Sequence, residues 1–235
     1  MLSRNQIKFI QSLKQKKFRL QHQLFVVEGE KLVNEFLNSD WKIEQIYATK
    51  EWDGDAFEVT VKELQRISSF KTPNKVLAII KMPKEKSYVS GNIILALDSI
   101  KDPGNLGTII RLADWFGVQN IFCSKDCVDL YNPKVVQSTM GSIIRVQVQY
   151  VNLKSKFKSF KNYKICAAVM DGKSVFTVNK SVKRILLLGN ESHGLSQDLL
   201  ELTHQKITIP KSEKSKADSL NVANACGIIL AQLNR

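Results

Sequence analysis

The sequence predicts an α/β protein of two domains, a small amino-terminal one and a larger one built on a parallel sheet. Three observations carry this. Ile93-Ile94-Leu95-Ala96-Leu97 and Ile185-Leu186-Leu187-Leu188 are unbroken apolar runs of strand length, as found in parallel sheets covered on both faces. Strand-like and helical patterns alternate along the chain. Residues 82–91 lose all apolar periodicity and collect Pro83, Ser87, Ser90, Gly91 and charges, the composition of a linker.

In chain order, Ile7, Ile10, Leu13 and Phe18 fall near helical spacing, Phe25-Val26-Val27 is a short apolar run, and Lys31 to Leu37 resumes the helical period. Strands are expected at Ile43 to Ala48 and Val76 to Lys81, which makes residues 1–81 a small α/β domain. Residues 92–235 form the second domain. Beyond its two apolar runs, strands are expected at Ile121-Phe122, Ile143 to Val148 and Ile165 to Val169, and helices over Leu106 to Phe116 and Lys134 to Met140.

Composition narrows the function classes. With 235 residues, 43% hydrophobic and 24% charged, the chain can bury real cores, and disorder is excluded as its main state. No window approaches the roughly 18 apolar residues of a membrane helix, and Met1 to Leu20 is basic and amphipathic rather than a secretory signal, so a soluble cytoplasmic protein is expected. Cys123, Cys127, Cys166 and Cys226 form no CxxC pair, and His22, His193 and His204 lie far apart. The cysteines therefore read as buried small hydrophobes, with no metal site and no disulfide framework. Thirty-five Lys and Arg against 22 Asp and Glu give a net charge of +13, which attracts polyanions and makes nucleic acid the leading partner. The plain alternative is a lysine-rich solubilising surface.

Three strand-to-loop junctions of the second domain could carry chemistry, because ligands of open α/β sheets gather at the carboxyl ends of strands. In the first, Asp98 to Arg111, Pro103 and Gly104 force a turn, Asn105 is suited to cap the following helix, and Arg111 offers a permanently charged fork to a phosphate. An arginine in a surface ion pair would explain the same spacing. In the second, Gly189-Asn190-Glu191-Ser192-His193-Gly194, two glycines bracket a carboxylate, an amide and an imidazole; Glu191 could pair with Arg111, and His193 reads as solvated. In the third, Ile207-Thr208-Ile209-Pro210 is a strand halted by proline, Lys211 to Asp218 is a charged loop, and Ser219 is a candidate cap for the closing helix. Asn221, just inside that helix, must find hydrogen-bond partners. There is no GxGxxG, so a dinucleotide-type phosphate loop is not supported.

Together, Asn105-x-Gly107-x-x-x-Arg111, Gly189-Asn190-Glu191 with Gly194-Leu195-Ser196, and Ile209-Pro210 followed by Ser219-Leu220-Asn221-Val222 resemble the SpoU/TrmH-type RNA 2'-O-ribose methyltransferases of the SPOUT superfamily. Phe25-Val26-Val27-Glu28-Gly29-Glu30-Lys31 and the helix after it are similar to that family's L30e-like substrate-binding domain. The resemblance implies a trefoil-knotted catalytic domain, S-adenosylmethionine as methyl donor held by backbone groups at Gly189, Ile209 and Leu220, a homodimer, and no metal. It also implies an RNA substrate, ribosomal RNA ahead of transfer RNA. The family's loop between Ile-Pro and Ser-Leu-Asn is shorter and contains glycine, whereas Lys211 to Asp218 is longer and has none. Arg111 is the expected catalytic cation: a guanidinium is a poor base, so it would act through the substrate phosphate and stabilise oxyanion character at the ribose. Asn105, Glu191, Ser219 and Asn221 would orient Arg111 and the sugar. A non-catalytic RNA-binding scaffold is the rival reading, and calorimetry with S-adenosylmethionine separates the two.

Overall fold

A computed structural model describes residues 1–84, 89 and 91–234; of the expected linker, 85–88 and 90 lie outside the described residues. The chain divides into two compact units, Met1–Glu85 with Asp129–Ile144, and Lys86–Val128 with Arg145–Arg235.

In the first unit, β1 (Leu24–Glu28), β2 (Ile43–Ala48), β3 (Phe57–Glu58) and β4 (Val76–Lys81) form a sheet of order β1-β4-β2-β3, antiparallel except for the β2–β3 pair. β2 and β4 match their expected bounds. Helices α1 (Arg4–Ser12), α2 (Lys16–His22), α3 (Glu30–Leu37) and α4 (Val61–Ile67) complete the amino-terminal elements. α1 and α4 begin in capping boxes, Ser3 with Gln6 and Thr60 with Glu63, which satisfy otherwise orphaned first-turn N–H groups. Ile7 and Ile10 of α1 join Leu13, Leu64, Ile67, Leu77 and Ile79 in one buried cluster, the face that the helical spacing anticipates.

The second unit opens with β5 (Ile93–Leu97), buried throughout as predicted, then α5 (Pro103–Trp115) and β6 (Asn120–Cys123). α5 starts three residues earlier than its apolar period suggests. Asp102, not Asn105, is its N-cap, accepting the Asn105 N–H at 2.8 Å, and Pro103 occupies the first turn, where a missing N–H costs nothing.

The chain then leaves this unit: α6 (Pro133–Thr139) groups with the amino-terminal residues, whereas the sequence reading runs the second domain unbroken from 92 to 235. Two contacts account for the grouping. Asp129 Oδ2 stands 2.5 Å from Nη2 of Arg19, a guanidinium buried to 3% exposure, and the Tyr131 ring lies 4.7 Å from that of Phe25. A buried arginine without a counter-ion is costly, so this pair constrains where the segment sits. The strand expected from Ile143 is instead a 3-10 turn at Ser142–Ile144 after Gly141 (φ +94), and pairing begins only at β7 (Gln147–Tyr150).

Back in the second unit come α7 (Leu153–Phe157), β8 (Lys164–Ser174), β9 (Arg184–Leu188), α8 (Gln197–Leu200), β10 (Gln205–Thr208) and α9 (Val222–Leu233). The six strands are parallel in the order β10-β8-β9-β5-β6-β7. β5 and β9 are adjacent and central, so both faces are covered and alternation disappears from their sequences. α5 and α9 pack closely: a Cβ at Gly227 would stand 3.4 Å from both Leu112 methyl carbons. The β8–β10 register jumps, from Lys206 opposite Ala167 to Ile207 opposite Lys173, so residues 168–172 have no register partner in β10, although the Thr208 hydroxyl donates to the Met170 carbonyl at 3.1 Å. All four cysteines are buried free thiols; burial pushes that of Cys226 up to about 12, so it stays neutral and behaves as a hydrophobe.

Candidate active site

The carboxyl ends of β8, β9 and β10 open onto a cavity of about 540 Å³, within the size range of small-molecule sites. Its walls are the unpaired Ala168 to Met170 of β8, Leu188 to Glu191 after β9, Ile209 and Pro210 after β10, and Ser219 and Leu220 ahead of α9. Gly189, Ile209 and Leu220, the expected cofactor contacts, thus line one space, as do Glu191 and Ser219. Lys211, Ser212, Ser215 and Ala217 of the long glycine-free loop form part of the wall, so the extra length closes around the cavity.

The loop after β9 is built tightly. Asn190 and Gly194 exchange backbone hydrogen bonds at 2.9 Å, closing a small hairpin, and Gly194 sits at φ +67, where a side chain is disfavoured. Gly189 is required for space instead: a Cβ there would lie 2.4–2.6 Å from backbone atoms of Gly194 and Leu195. The Asn190 side chain accepts the N–H groups of Ser192 (2.8 Å) and His193 (3.2 Å) and donates Nδ2–H to the Ser99 carbonyl at 2.8 Å. Asp98, buried at the end of β5, accepts the Ser196 N–H at 2.9 Å and so holds the far end of the loop. Asp98 is a support to which the sequence pattern assigned no role, and Asn190, expected only as a displayed amide, braces the loop. The available signal was a carboxylate directly after a fully apolar strand, which must be satisfied where it is buried.

Ser99 itself takes φ +58, an uncommon conformation for a side-chain-bearing residue, and its neighbours over-determine it. Its N–H donates to Ser124 Oγ, its hydroxyl to Asp126, and its carbonyl receives Asn190. The Ser99 hydroxyl, then that of Ser124 and the Lys101 ammonium, hold the Asp126 carboxyl down at about 2. A depressed carboxylate contributes stability above its ordinary pKa of 3.8 that is lost as pH falls toward 2. Asp126→Asn should therefore lower the melting temperature at pH 6, and the gap to the wild type should close as both are acidified to about pH 2.

The three junctions meet through side chains. Asn221 Nδ2 donates to Asn105 Oδ1 at 2.9 Å, and Asn105 Nδ2 donates to Glu191 Oε1 at 2.6 Å. This relay departs from the sequence expectation in three ways. Asn105 is freed for it because Asp102 caps α5. Asn221, not Ser219, caps α9, its Oδ1 accepting the Ala223 and Asn224 N–H groups while its amide nitrogen faces Asn105. Glu191 is held by Asn105 rather than paired with Arg111. Arg111 lies on α5, six residues beyond Asn105; it is exposed, and among the described residues no hydrogen bond or ion pair engages it. His193 is exposed and contributes only its backbone N–H to the loop. Asn105→Asp should cost more than Asn105→Ala near pH 7, since it removes the donor and sets two carboxylates against each other. Protonation at lower pH should partly restore the Asp variant, which a pH series of both variants would read directly.

The cavity combines apolar side chains with backbone groups open to a ligand. Its surface is mainly apolar, from Val169, Met170, Ile207, Ile209, Leu220 and Ile229, and no hydrogen bond among the described residues takes up the backbone groups of Gly189 or Leu220. Such free amides and carbonyls are what an adenine edge and ribose hydroxyls need.

Both units resemble known proteins. The SpoU rRNA Methylase family model matches residues 92–231, and an MRM3-like substrate binding domain matches residues 4–78. The chain is 30% identical to the 23S rRNA (guanosine(2553)-2'-O)-methyltransferase RlmP of Bacillus subtilis, over 97% of this chain and 95% of that one. Among solved structures, a TrmH-family protein from Porphyromonas gingivalis superposes with a TM-score of 0.88 at 35% identity, covering 99% of this chain and 98% of that one. An AdoMet-bound rRNA methyltransferase from Sinorhizobium meliloti gives 0.88 at 30% identity, covering 99% and 95%. With the second and third junctions lining one cavity, the first tied to them through Asn105, and a family model matching residues 92–231, this chain belongs to the SpoU rRNA Methylase family.

Proposed function

We propose that this chain is an S-adenosylmethionine-dependent RNA 2'-O-ribose methyltransferase acting on ribosomal RNA. The observation that carries the reading is the Asn221–Asn105–Glu191 relay beside a cavity of about 540 Å³, which unites the three junctions at the carboxyl ends of the strands. The naming of a relative of nearly equal length as a 23S rRNA 2'-O-methyltransferase supports the substrate class, and the AdoMet-bound relative supports the donor.

Gly189, Ile209 and Leu220 hold the donor through backbone groups, with the apolar walls excluding water. When bound, S-adenosylmethionine supplies a methyl group already electrophilic through its sulfonium, so this chain's own task is mainly alignment. Arg111, charged and unengaged at the surface of α5, binds the phosphate next to the target ribose and offsets the negative charge that develops on O2′ as its proton passes to solvent water. Glu191 is fixed by the Asn105 amide, whose other end is fixed by Asn221. This leaves the second Glu191 carboxylate oxygen to orient the guanidinium or the sugar. Ser219, on the cavity wall, presents its hydroxyl to the ribose.

On the same reading residues 1–81 are the L30e-like RNA-binding domain, residues 92–235 carry the trefoil knot, and the enzyme works in the cytoplasm as a homodimer. A second copy is supported by Trp115 of α5, a large apolar side chain that is 82% exposed. Mass-spectrometric mapping of 2'-O-methyl groups in RNA from cells with and without the gene tests the whole. One ribose in large-subunit rRNA should lose its methyl group. An unchanged map, with no heat of S-adenosylmethionine binding by calorimetry, would leave the non-catalytic scaffold standing instead.

A further inference from the structure

The positive charge of this chain is concentrated away from the domain expected to grip RNA. Residues 1–81 carry fourteen Lys and Arg against ten Asp and Glu, a net +4. Residues 154–184, only 31 positions in the methyltransferase unit, carry nine against the single Asp171, a net +8 of the chain's +13. Arg184 is buried, but the eight lysines are exposed or half-exposed. Among the described residues only Lys154 meets a carboxylate, Asp198 at 3.2 Å.

Two of these lysines lie over aromatic rings, and Lys161 and Lys164 flank the same rings in sequence. The Phe160 and Tyr163 rings meet edge-on at 5.4 Å, both half-buried at the margin of the core. Lys156 Nζ stands 4.9 Å from the Phe122 ring centre and 5.9 Å from that of Phe160, and Lys183 Nζ 5.8 Å from that of Tyr163. Tyr163 is anchored by its hydroxyl donating to the Gly91 carbonyl at 2.6 Å. Lys161 lies between the two rings in sequence, and the Lys164 N–H donates to the Lys183 carbonyl at 2.9 Å, which brings the starts of β8 and β9 together. Aromatic faces rather than carboxylates thus hold the Lys156 and Lys183 ammonium groups, leaving their charge unneutralised. The patch sits at the amino-terminal ends of the strands, about 17 Å from the cavity by the length of a five-residue strand, so the cofactor site does not need it.

We propose that Lys156, Lys161, Lys164 and Lys183, arrayed about Phe160 and Tyr163, form a second RNA-backbone surface on the methyltransferase unit. It engages phosphates remote from the methylated ribose and supplies most of the salt-dependent affinity. Lysine suits this use: it is a point charge indifferent to sequence, unlike the bidentate fork of arginine. The proposal rests on RNA being the substrate, and its test separates the two claims.

Binding of in-vitro transcribed large-subunit rRNA is measured by filter retention between about 50 and 200 mM salt. The measurement compares the wild type, Lys161→Ala/Lys164→Ala/Lys183→Ala, and the same three positions changed to Arg. The Ala variant should bind at least about tenfold more weakly at the low-salt end, with a log–log salt slope shallower by about 2, as expected for three lost phosphate contacts. The Arg variant should keep the wild-type slope, and both should retain the wild-type melting temperature and S-adenosylmethionine affinity. An unchanged slope in the Ala variant overturns the surface, as does an Arg variant that loses affinity equally. Tighter lysine-dependent binding to phosphatidylserine vesicles than to rRNA overturns RNA as its occupant. If the wild type transfers no methyl group to RNA while the slope still changes, the functional reading fails and the surface stands.

Discussion

Arg111→Ala should reduce methyl transfer by about 10²–10³-fold or more in kcat while leaving S-adenosylmethionine affinity and melting temperature at wild-type values. The separation follows from where the residue sits. Arg111 is exposed on α5, no hydrogen bond or ion pair engages it among the described residues, and it is not part of the cavity wall. Its removal therefore takes away no fold contact and no cofactor contact. On the proposed role, what disappears is a cation that becomes important only when negative charge develops at the ribose oxygen, an interaction expressed in kcat rather than in donor binding. Arg111→Lys should fall between, because an ammonium keeps the charge but not the planar fork. Single-turnover methylation of rRNA and calorimetric titration with the donor read the two quantities independently. Full activity in Arg111→Ala would refute the assignment.

Gly189→Ala should abolish S-adenosylmethionine binding and destabilise the larger domain by about 1–3 kcal/mol. The added methyl would stand 2.4 Å from the Gly194 carbonyl carbon and 2.6 Å from the Leu195 nitrogen, both backbone atoms of a closed hairpin. Nothing there can rotate away, so either the hairpin opens or the strand end shifts, and each moves Glu191 off Asn105. Gly194 gives the contrast. A Cβ there has open space, and only φ +67 is demanding, a conformation that asparagine visits readily. Gly194→Asn should accordingly stay near the wild type in melting temperature and in donor binding. Equal damage from the two substitutions would show that the hairpin is limited by backbone conformation and not by space.

Local sequence patterns were most informative where one strong signal acts over a few residues. β5 and β4 are legible to the residue because an almost wholly apolar run of strand length has few other homes, and β2 matches its expected bounds although Glu44 and Gln45 interrupt its apolar residues. The helix caps were less legible. Asp102 and Asn105 are both good capping residues three positions apart, and so are Ser219 and Asn221 within three. Which member caps depends on where the chain turns, and that in turn decides which amide is left free for Glu191. The 3-10 turn at Ser142 and the long β8 with its register jump were likewise hidden, since apolar content there reflects burial from several directions.

The sequence alone determined the fold class and marked out the three junctions as candidate sites, because spacing along a strand-turn-helix is a local property of the chain. Only the tertiary structure decided that Asn105 bridges Asn221 to Glu191, that the long Lys211 loop walls the cavity, and that Asp98 and Asn190 brace the hairpin. Each of these joins residues roughly 90 or more positions apart or depends on what a loop folds against. Hydrogen-bond geometry across such separations is set by packing of the whole sheet, which no local pattern encodes.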